Sequence, residues 1–432
     1  MTDEPSTVAD RVAEHAVTVE TDPEASLTDL DPLRTAFEDR TVVGLGEATH
    51  GTREFFELKH RLIAFLVREL DCRVVAMEAA FSESTAIDDY VVHGEGDPEE
   101  ALDGIHFWTW NVESVLALLE WLRAFNEGRP LDDRVRFYGV DAQHTVGPAR
   151  ELREYLDRVD PEYLAHAEDD LDTLAEGLDT WTTPDEEVLA TTDATADTVA
   201  GVRDRLAERR ESYVEATSPE AHELAVRHAW TLGRAHELAA ENAAADDMSG
   251  WAVREQSMAA NLAWALDRED ADQVVLWAHN AHLMRGTRNL DGTQQRGLGQ
   301  LLAAEYGDDY YPLGFDFDRG EFQAIAGEEY ETEGLQAWSV DSLSDDEAPA
   351  AEAFADVDAP AAVLDFETAR EDPRLAGWLD REHERRDFGA VFRDERQTAV
   401  DVPAERFDGL AVVHETSRAM PIDGGGEGEA ED

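Results

Sequence analysis

TVVGLGEATHGTREFFELKHRLIAFLVRELDCRVVAME, residues 41–78, is the stretch of sequence that decides the fold. Its first apolar run, Val42–Leu45, is followed by Gly46 and is typical of a buried parallel strand. Apolar residues then recur at three-and-four spacing from Thr52 to Leu70, which predicts a helix with a broad buried face. A second apolar run at Arg73–Met77 predicts another strand. The stretch is therefore predicted to form a β-α-β unit.

Three polar residues stand where these two strands end. Glu47 and His50 occupy the turn after the first strand, and Glu78 ends the second. The strands of a β-α-β unit run parallel, so their carboxyl ends meet at one edge of the sheet. We therefore expect the three side chains to lie close together.

The rest of the chain extends this pattern into a larger α/β fold. Strands are predicted at residues 135–140, 273–278, 361–364 and 410–414, and an antiparallel hairpin is predicted to turn at residues 318–320. Residues 150–268 show only helical patterns. The predicted fold class is α/β, a mostly parallel central sheet flanked by helices with a large all-helical insertion or subdomain.

Four parts of the chain follow from this prediction. Residues 1–149 form the first part of the α/β core, and residues 269–422 form its second part. Residues 150–268 form the helical subdomain, which is a candidate lid. Residues 423–432 are expected to be a disordered acidic tail, because GGGEGEAED is low in complexity.

The composition is strongly acidic. The chain has 36 basic and 99 acidic residues, a formal charge of −63, and Lys59 is its single lysine. This composition resembles that of proteins from salt-accumulating haloarchaea, where molar salt shortens the Debye length to about 3 Å and screens the self-repulsion. The acidic residues are spread along the whole chain and no basic stripe is present, so a solvated surface is favoured and nucleic-acid binding is not expected.

Other classes of protein are also disfavoured. A lone cysteine, Cys72, excludes an intrachain disulfide and a cysteine zinc cluster. No apolar run approaches the length of a membrane span, and the first residues lack a cationic-then-apolar signal. We expect a cytoplasmic protein without membrane contact, and the sequence carries no indication of its oligomeric state.

Histidines follow a later predicted strand. His279 and His282 lie in HNAH, directly after the strand at 273–278, and would join Glu47, His50 and Glu78 at the carboxyl edge. Structural explanations stay open at this point: Glu47 and His50 could cap the following helix, and one or both later histidines could be packing residues. Asp141 could likewise be a helix N-cap, and the retention of Lys59 could be chance.

Six segments in this order resemble the erythromycin esterase family, also described as succinoglycan-biosynthesis-like proteins. They are GLGEATHGTREFFELKHRLIAFLV, AMEA, FWTWNVESVLALLEWLRAFN, FYGVDAQ, REQSMAANLAW and WAHNAH. The resemblance implies an α/β core with a large helical portion. It also implies a hydrolase that cleaves a carboxylic ester or macrolactone of a small molecule, with His50 as the general base that activates water. It places Glu47, Glu78, His279 and His282 in the catalytic site. Four further residues in these segments are expected to bind substrate: Arg53, Lys59, Trp108 and Asp141.

Two alternatives to this hydrolase hypothesis stay open. No cofactor is expected, and the absence of a G-x-S-x-G motif favours direct attack by water over an acyl-enzyme. However, His50, Glu78, His279 and His282 are also credible ligands for a divalent metal such as zinc, which would itself supply the hydroxide. The same residues could instead hold a metal or small ligand without turnover.

Overall fold

The computed structural model describes residues 7–105, 107–180, 184–244, 249–290, 293–326, 334–343, 349–393 and 397–422. The predicted tail at 423–432 lies outside the described residues. Two small two-stranded ribbons accompany the main sheet. The strands are β1 (Val17–Val19), β2 (Val42–Leu45), β3 (Val74–Ala80), β4 (Arg136–Asp141), β5 (Val274–Trp277), β6 (Thr287–Leu290), β7 (Thr293–Arg296), β8 (Tyr310–Ala326), β9 (Leu335–Val340), β10 (Ala361–Asp365), β11 (His383–Arg386), β12 (Val391–Phe392), β13 (Thr398–Asp401) and β14 (Gly409–Thr416).

The main sheet follows the order β1-β10-β14-β8-β2-β5-β3-β4, and β9 and β12 also pair with β8. The run from β14 to β4 is parallel throughout, whereas β10 and β1 add antiparallel strands at one edge. The ribbons are β6 with β7 and β11 with β13. The predicted fold class, a mostly parallel α/β sheet with flanking helices and a helical region, is confirmed.

Helices cover the sheet and fill the long middle segment. They are α1 (Val8–His15), α2 (Arg34–Phe37), α3 (Arg53–Glu69), α4 (Thr85–His93), α5 (Pro98–Asp103), α6 (Glu113–Asn126), α7 (Val146–Val159), α8 (Pro161–Glu176), α9 (Glu186–Glu208), α10 (Arg210–Ala216), α11 (Pro219–Ala244), α12 (Trp251–Glu269), α13 (Asn280–Leu283), α14 (Leu298–Tyr306), α15 (Phe366–Ala369), α16 (Pro373–Leu379) and α17 (Pro403–Arg406). Within the described ranges, none of them combines the length and apolarity that crossing a bilayer requires.

The helical segment divides between two cores. Helices α7 to α11 share an apolar cluster of their own, which includes Leu152, Leu171 and Leu232. Helix α12 instead packs on the sheet, where Met258 joins Leu276 of β5 in one buried cluster. Helix α12, the last helix of the segment, therefore packs against the central sheet. The domain boundaries at residues 150 and 268 and the role of this segment as a lid remain predictions.

Two local predictions need correction. The expected hairpin at residues 318–320 is wrong, because β8 runs without a turn from Tyr310 to Ala326. Gly320 adopts φ +133 within that strand and packs against Thr416, where a Cβ would lie 2.3 Å from the Thr416 carbonyl oxygen. Strand β3 also continues to Ala80, so Glu78 lies inside the strand next to a shift of register with β4 rather than at its end.

Candidate functional site

Four parallel strands bring the candidate residues to one edge of the sheet. Leu45 of β2 and Met77 of β3 both pair with Trp277 of β5, and Met77 also pairs with Gly139 of β4. The residues that follow these positions therefore emerge side by side at the carboxyl edge, as parallel strands require.

The turn after β2 depends on glycine at two close approaches. A Cβ on Gly46 would lie 2.1 Å from the Asn280 side-chain oxygen, and one on Gly51 would lie 2.0 Å from the backbone oxygen of Gln323. Asn280 uses that side chain to bind the backbone N–H and carbonyl of Phe315 at 3.0 and 2.7 Å. These contacts hold the turn, with Glu47 and His50 in it, against β8.

Glu47 and His50 form a buried pair. The His50 Nδ1 donates to Glu47 Oε1 at 2.6 Å, while the other carboxylate oxygen accepts from Lys59 Nζ and, at 2.8 Å, from Trp277 Nε1. The proposed helix-capping role is wrong for both residues, because the N-cap of α3 is Thr52, whose side chain makes no capping hydrogen bond. The Nε2 of His50 has no hydrogen-bond partner among the described residues.

Charge on this pair is set by its surroundings. Burial alone would raise the pKa of Glu47, but Lys59 and His50 outweigh it and lower that pKa to about 2. Burial lowers the pKa of Lys59 to about 8 against the opposing pull of Glu47. Both groups are therefore ionised near pH 7. A carboxylate fixed on Nδ1 leaves Nε2 of His50 as the basic nitrogen, and His50 is 13% exposed whereas Glu47 is 0% exposed.

His279 packs against His50, but both of its ring nitrogens are occupied. Nε2 donates to the Phe388 carbonyl at 2.9 Å, and Nδ1 accepts from the Ala281 backbone N–H at 3.1 Å. Burial and the neighbouring His50 lower the pKa of His279 to about 4. The ring is therefore neutral near pH 7, with its proton assigned to Nε2. Its centroid lies 4.8 Å from that of His50.

Glu78 is a buried carboxylate held by a cation and by backbone. Oε2 accepts from the His279 backbone N–H at 2.9 Å, and Oε1 accepts from Arg254 Nη2 at 2.9 Å. Burial would raise the pKa of Glu78, but His282, Arg254 and His50 hold it well below its ordinary range. Arg254 also binds Asp141, the last residue of β4, through Nη2 at 2.7 Å and Nε at 3.1 Å.

His282 lies between two carboxylates. Its Nε2 is 3.0 Å from Glu78 Oε1, and its Nδ1 is 2.6 Å from Glu255 Oε1. Burial would lower the pKa of His282, but Glu255 and Glu78 outweigh it and raise the pKa to about 9. His282 is therefore an imidazolium at neutral pH. Asp141, Arg254, Glu78, His282 and Glu255 form a chain of alternating charges, which we call the charge network.

The residues expected to bind substrate are placed differently from one another. Lys59 and Asp141 have fully buried side chains, and their expected contact with substrate stays a prediction. Lys59 reaches the site through Glu47, and Asp141 through Arg254. The suggested N-cap role of Asp141 is also wrong, because Thr145 is the N-cap of α7.

Arg53 and Trp108 lie nearer to solvent. Arg53 is 48% exposed and forms ion pairs with Glu54 and Glu57 at 3.2 and 3.6 Å. Trp108 is half-buried, and none of the hydrogen bonds or ring contacts found in the described ranges involves it. Trp110 contacts the site instead: it donates to the Glu78 carbonyl at 2.9 Å and meets the His50 ring edge-on.

Sequence reasoning missed Arg254, Glu255 and Trp277. One signal was available for the first two. Arg254 and Glu255 precede Met258 and Leu262 at helical spacing and so lie on the apolar face of α12. Charged residues on such a face must be paired, which would have pointed to buried partners.

The site does not fit a metal ion as it is arranged. Zinc takes unprotonated imidazole nitrogens and carboxylate oxygens. His279 has both nitrogens engaged, and His282 is protonated between two carboxylates. In the part of the chain that the structure describes, no group of three or more His, Cys, Asp or Glu side chains is arranged to hold a metal.

A separate cavity lies at the opposite edge of the sheet. It has a volume of about 820 Å³ and is lined by residues at or just before the first residues of the parallel strands, among them Thr41, Arg73, Arg136 and Gln273. Because the carboxyl ends of the strands carry His50 and the charge network, this cavity is not part of the candidate site.

The fold and site together are those of an α/β protein whose sheet carries, at its carboxyl edge, a histidine held by a carboxylate, a pair suited to acid–base chemistry. The profile of the erythromycin esterase family matches residues 67–416, and the chain belongs to that family. This membership supports an ester-type hydrolase in general.

Individual proteins are similar to this chain in sequence or in fold. Erythromycin esterase type II from Escherichia coli is 26% identical over 326 residues, which cover 70% of this chain and 75% of that protein. A Bacillus cereus protein of known structure has a TM-score of 0.80 at 22% identity and covers 97% of this chain and 100% of its own. An erythromycin esterase mutant in its open conformation has a TM-score of 0.69 at 15% identity, with coverages of 95% and 99%. At these identities the two structures establish the fold alone.

Proposed function

We propose that this protein hydrolyses a carboxylic ester or lactone by water that His50 activates. The proposal depends on how the His50 ring is held. Its Nδ1 donates to an ionised Glu47, while its Nε2 has no hydrogen-bond partner among the described residues. This is the arrangement that a general base needs, because a carboxylate on one nitrogen makes the other the proton acceptor.

The reaction proceeds in two stages on this proposal. Nε2 of His50 takes a proton from water as the oxygen attacks the ester carbonyl, and a tetrahedral intermediate forms. Its collapse breaks the bond to the alcohol oxygen, and His50 returns the proton to that leaving group. The products are a carboxylic acid and an alcohol, and the histidine is regenerated.

The surrounding charges have supporting roles. Glu47 orients the ring, and Glu47 and Glu78 stabilise the positive charge that develops on His50, which lies close enough to lower the pKa of both carboxylates. Neither His279 nor His282 offers a direct donor to the oxyanion, because their ring nitrogens face other partners. We propose instead that Arg254 and the His282 imidazolium stabilise the oxyanion through their field.

We propose that the reaction needs no metal. The donor geometry of His279 and His282 supports this, since zinc binding would require both rings to give up their present partners. The proposal that the substrate is a macrolactone is supported only by the name of the Escherichia coli relative. The test therefore includes both simple esters and a macrolide.

The test compares the protein with its His50→Gln variant on p-nitrophenyl esters and a macrolide in molar KCl. We expect His50→Gln to lower kcat/KM by about 10²–10⁴-fold, the usual contribution of a general base. His166→Gln, at an exposed position on α8, is the matched control and should keep the full rate.

Three results would count against the proposal in different ways. A folded His50→Gln variant with full activity would exclude water activation by His50. Failure of the unaltered protein to hydrolyse any ester would favour ligand binding without turnover. Loss of activity on treatment with a chelator, restored by added zinc, would favour the metal-dependent alternative.

A further inference from the structure

Glu255 is a buried acidic residue to which the hydrolytic proposal gives no role. It is 0% exposed and follows Arg254 directly in the first turns of α12. An isolated carboxylate at such a depth would be protonated or strongly destabilising, so its partners indicate what it does.

Two groups contact this carboxylate, one at each oxygen. Oε2 accepts from the Leu298 backbone N–H at 2.5 Å, at the first residue of the nine-residue helix α14. The N-terminal end of a helix favours negative charge. Oε1 lies 2.6 Å from His282 Nδ1. Glu255 therefore joins the start of α14 to the His282 ring.

The same part of α12 encloses the His282 ring from a second side. Trp251, one turn before Glu255, stacks on His282 with centroids 5.2 Å apart and an interplanar angle of 14°. Arg254, the neighbour of Glu255, binds Glu78, and Glu78 faces the other nitrogen of His282. Residues of α12 and β3 together therefore determine the position and the charge of the His282 ring.

We infer that Glu255 is a positioning residue, which fixes the orientation and positive charge of His282 and, through His282, the carboxylate of Glu78 beside His50. This inference rests on the proposed function only for its effect on ester hydrolysis. Its structural part, the effect of Glu255 on His282, stands on the contacts alone. The charged groups that face His282 are Glu255 and Arg254 from α12 and Glu78 from β3.

The experiment follows the His282 ring by NMR titration in molar KCl, with the signal assigned by its absence from His282→Asn. In the unaltered protein we expect the ring to stay protonated up to about pH 9. In Glu255→Gln, which can keep the bond from Leu298 but loses the charge, the titration should move down by about 1–3 pH units. Asp267→Asn, at an exposed position on the same helix, should leave it unchanged.

Ester hydrolysis supplies the second readout. In the pH profile of kcat/KM, the fall in activity at alkaline pH should occur at a lower pH in Glu255→Gln, in parallel with the His282 titration. Glu255→Asp should recover part of that shift. A purely structural role would lower activity at every pH without moving the limb.

Each outcome decides the inference. An unchanged titration in folded Glu255→Gln, or a His282 ring in the unaltered protein that titrates below pH 7, would overturn it. If Glu255→Gln does not fold, the inference is tested by comparing the His282 titration in the unaltered protein with that in Glu255→Asp. If no ester is hydrolysed while the His282 titration shifts as expected, the proposed function fails and the positioning role stands.

Discussion

Glu47 illustrates how one buried charge is maintained at the site. Its pKa falls from an ordinary 4.5 to about 2, because Lys59 and His50 outweigh the effect of burial. A carboxyl whose folded-state pKa is lowered contributes stability that is present above its unfolded-state pKa and is lost as the pH falls through the folded-state value. The contribution of Glu47 is therefore complete above about pH 5 and disappears as the pH falls to about 2.

We predict that Lys59→Met destabilises the protein by about 3–5 kcal/mol at pH 7, because it leaves the Glu47 carboxylate buried without its cation. The free energy of unfolding is measured by urea titration at constant molar KCl. The double variant Lys59→Met/Glu47→Gln should recover much of the loss, since both charges are then absent. A loss below about 1 kcal/mol for the single variant would mean that the pair contributes no more than a surface ion pair.

At the scale of elements, the periodicity of apolar residues predicted the strands and helices that depend on local sequence alone. The strand, helix and strand of β2, α3 and β3 follow directly from apolar spacing. The hairpin at 318–320 was mispredicted because Asp-Arg-Gly has turn composition. In the folded chain, Gly320 lets β8 pass close to Thr416 of β14 and continue. Composition alone does not distinguish a turn glycine from one required by a neighbouring strand.

The site shows the same limit. Parallel-strand geometry was enough to expect Glu47, His50, Glu78 and the HNAH histidines at one edge. The pairing of Arg254 with Glu78, however, joins residues 176 positions apart. No local pattern specifies which buried cation meets which buried carboxylate, so the charge network could not be read from the sequence.

The turn between β2 and α3 provides a prediction at this scale. Gly51→Ala would place a methyl group 2.0 Å from the Gln323 backbone oxygen, and a strand backbone inside a sheet cannot move away easily. We expect a loss of about 1–3 kcal/mol in the free energy of unfolding, as for other overpacked positions. Ester hydrolysis should also fall, because His50 precedes Gly51 in the turn.

Gly377→Ala is the matched control for this variant. Gly377 lies within helix α16 and has open space around its Cβ position. Alanine should therefore stabilise the protein by about 0.5–1 kcal/mol through helix propensity. If Gly51→Ala were as stable as the unaltered protein, the close approach would not be what requires glycine in the turn.

For the whole molecule, the excess of acidic residues dominates the electrostatics. The chain has 99 acidic and 36 basic residues, so 99 − 36 = 63 acidic residues would stay unpaired even if every arginine and the lysine formed one ion pair. Surface ion pairs contribute little individually, and salt weakens them further. Repulsion among the unpaired carboxylates acts across the entire surface and disfavours the compact state. The balance of these two effects decides how salt changes stability.

We predict that repulsion is the larger effect, so that raising KCl from 0.1 M to 1 M increases both the Tm and the urea midpoint. The physical reason is that the Debye length falls from about 10 Å to about 3 Å over this range, which screens the carboxylates from one another. Sucrose stabilises proteins by exclusion without screening charge and serves as the solvent control. The double variant Asp193→Asn/Asp197→Asn, at exposed positions on α9, should be more stable than the unaltered protein at 0.1 M KCl and indistinguishable from it at 1 M. A Tm that falls with added KCl would instead show that ion pairs, rather than repulsion, control the stability of this chain.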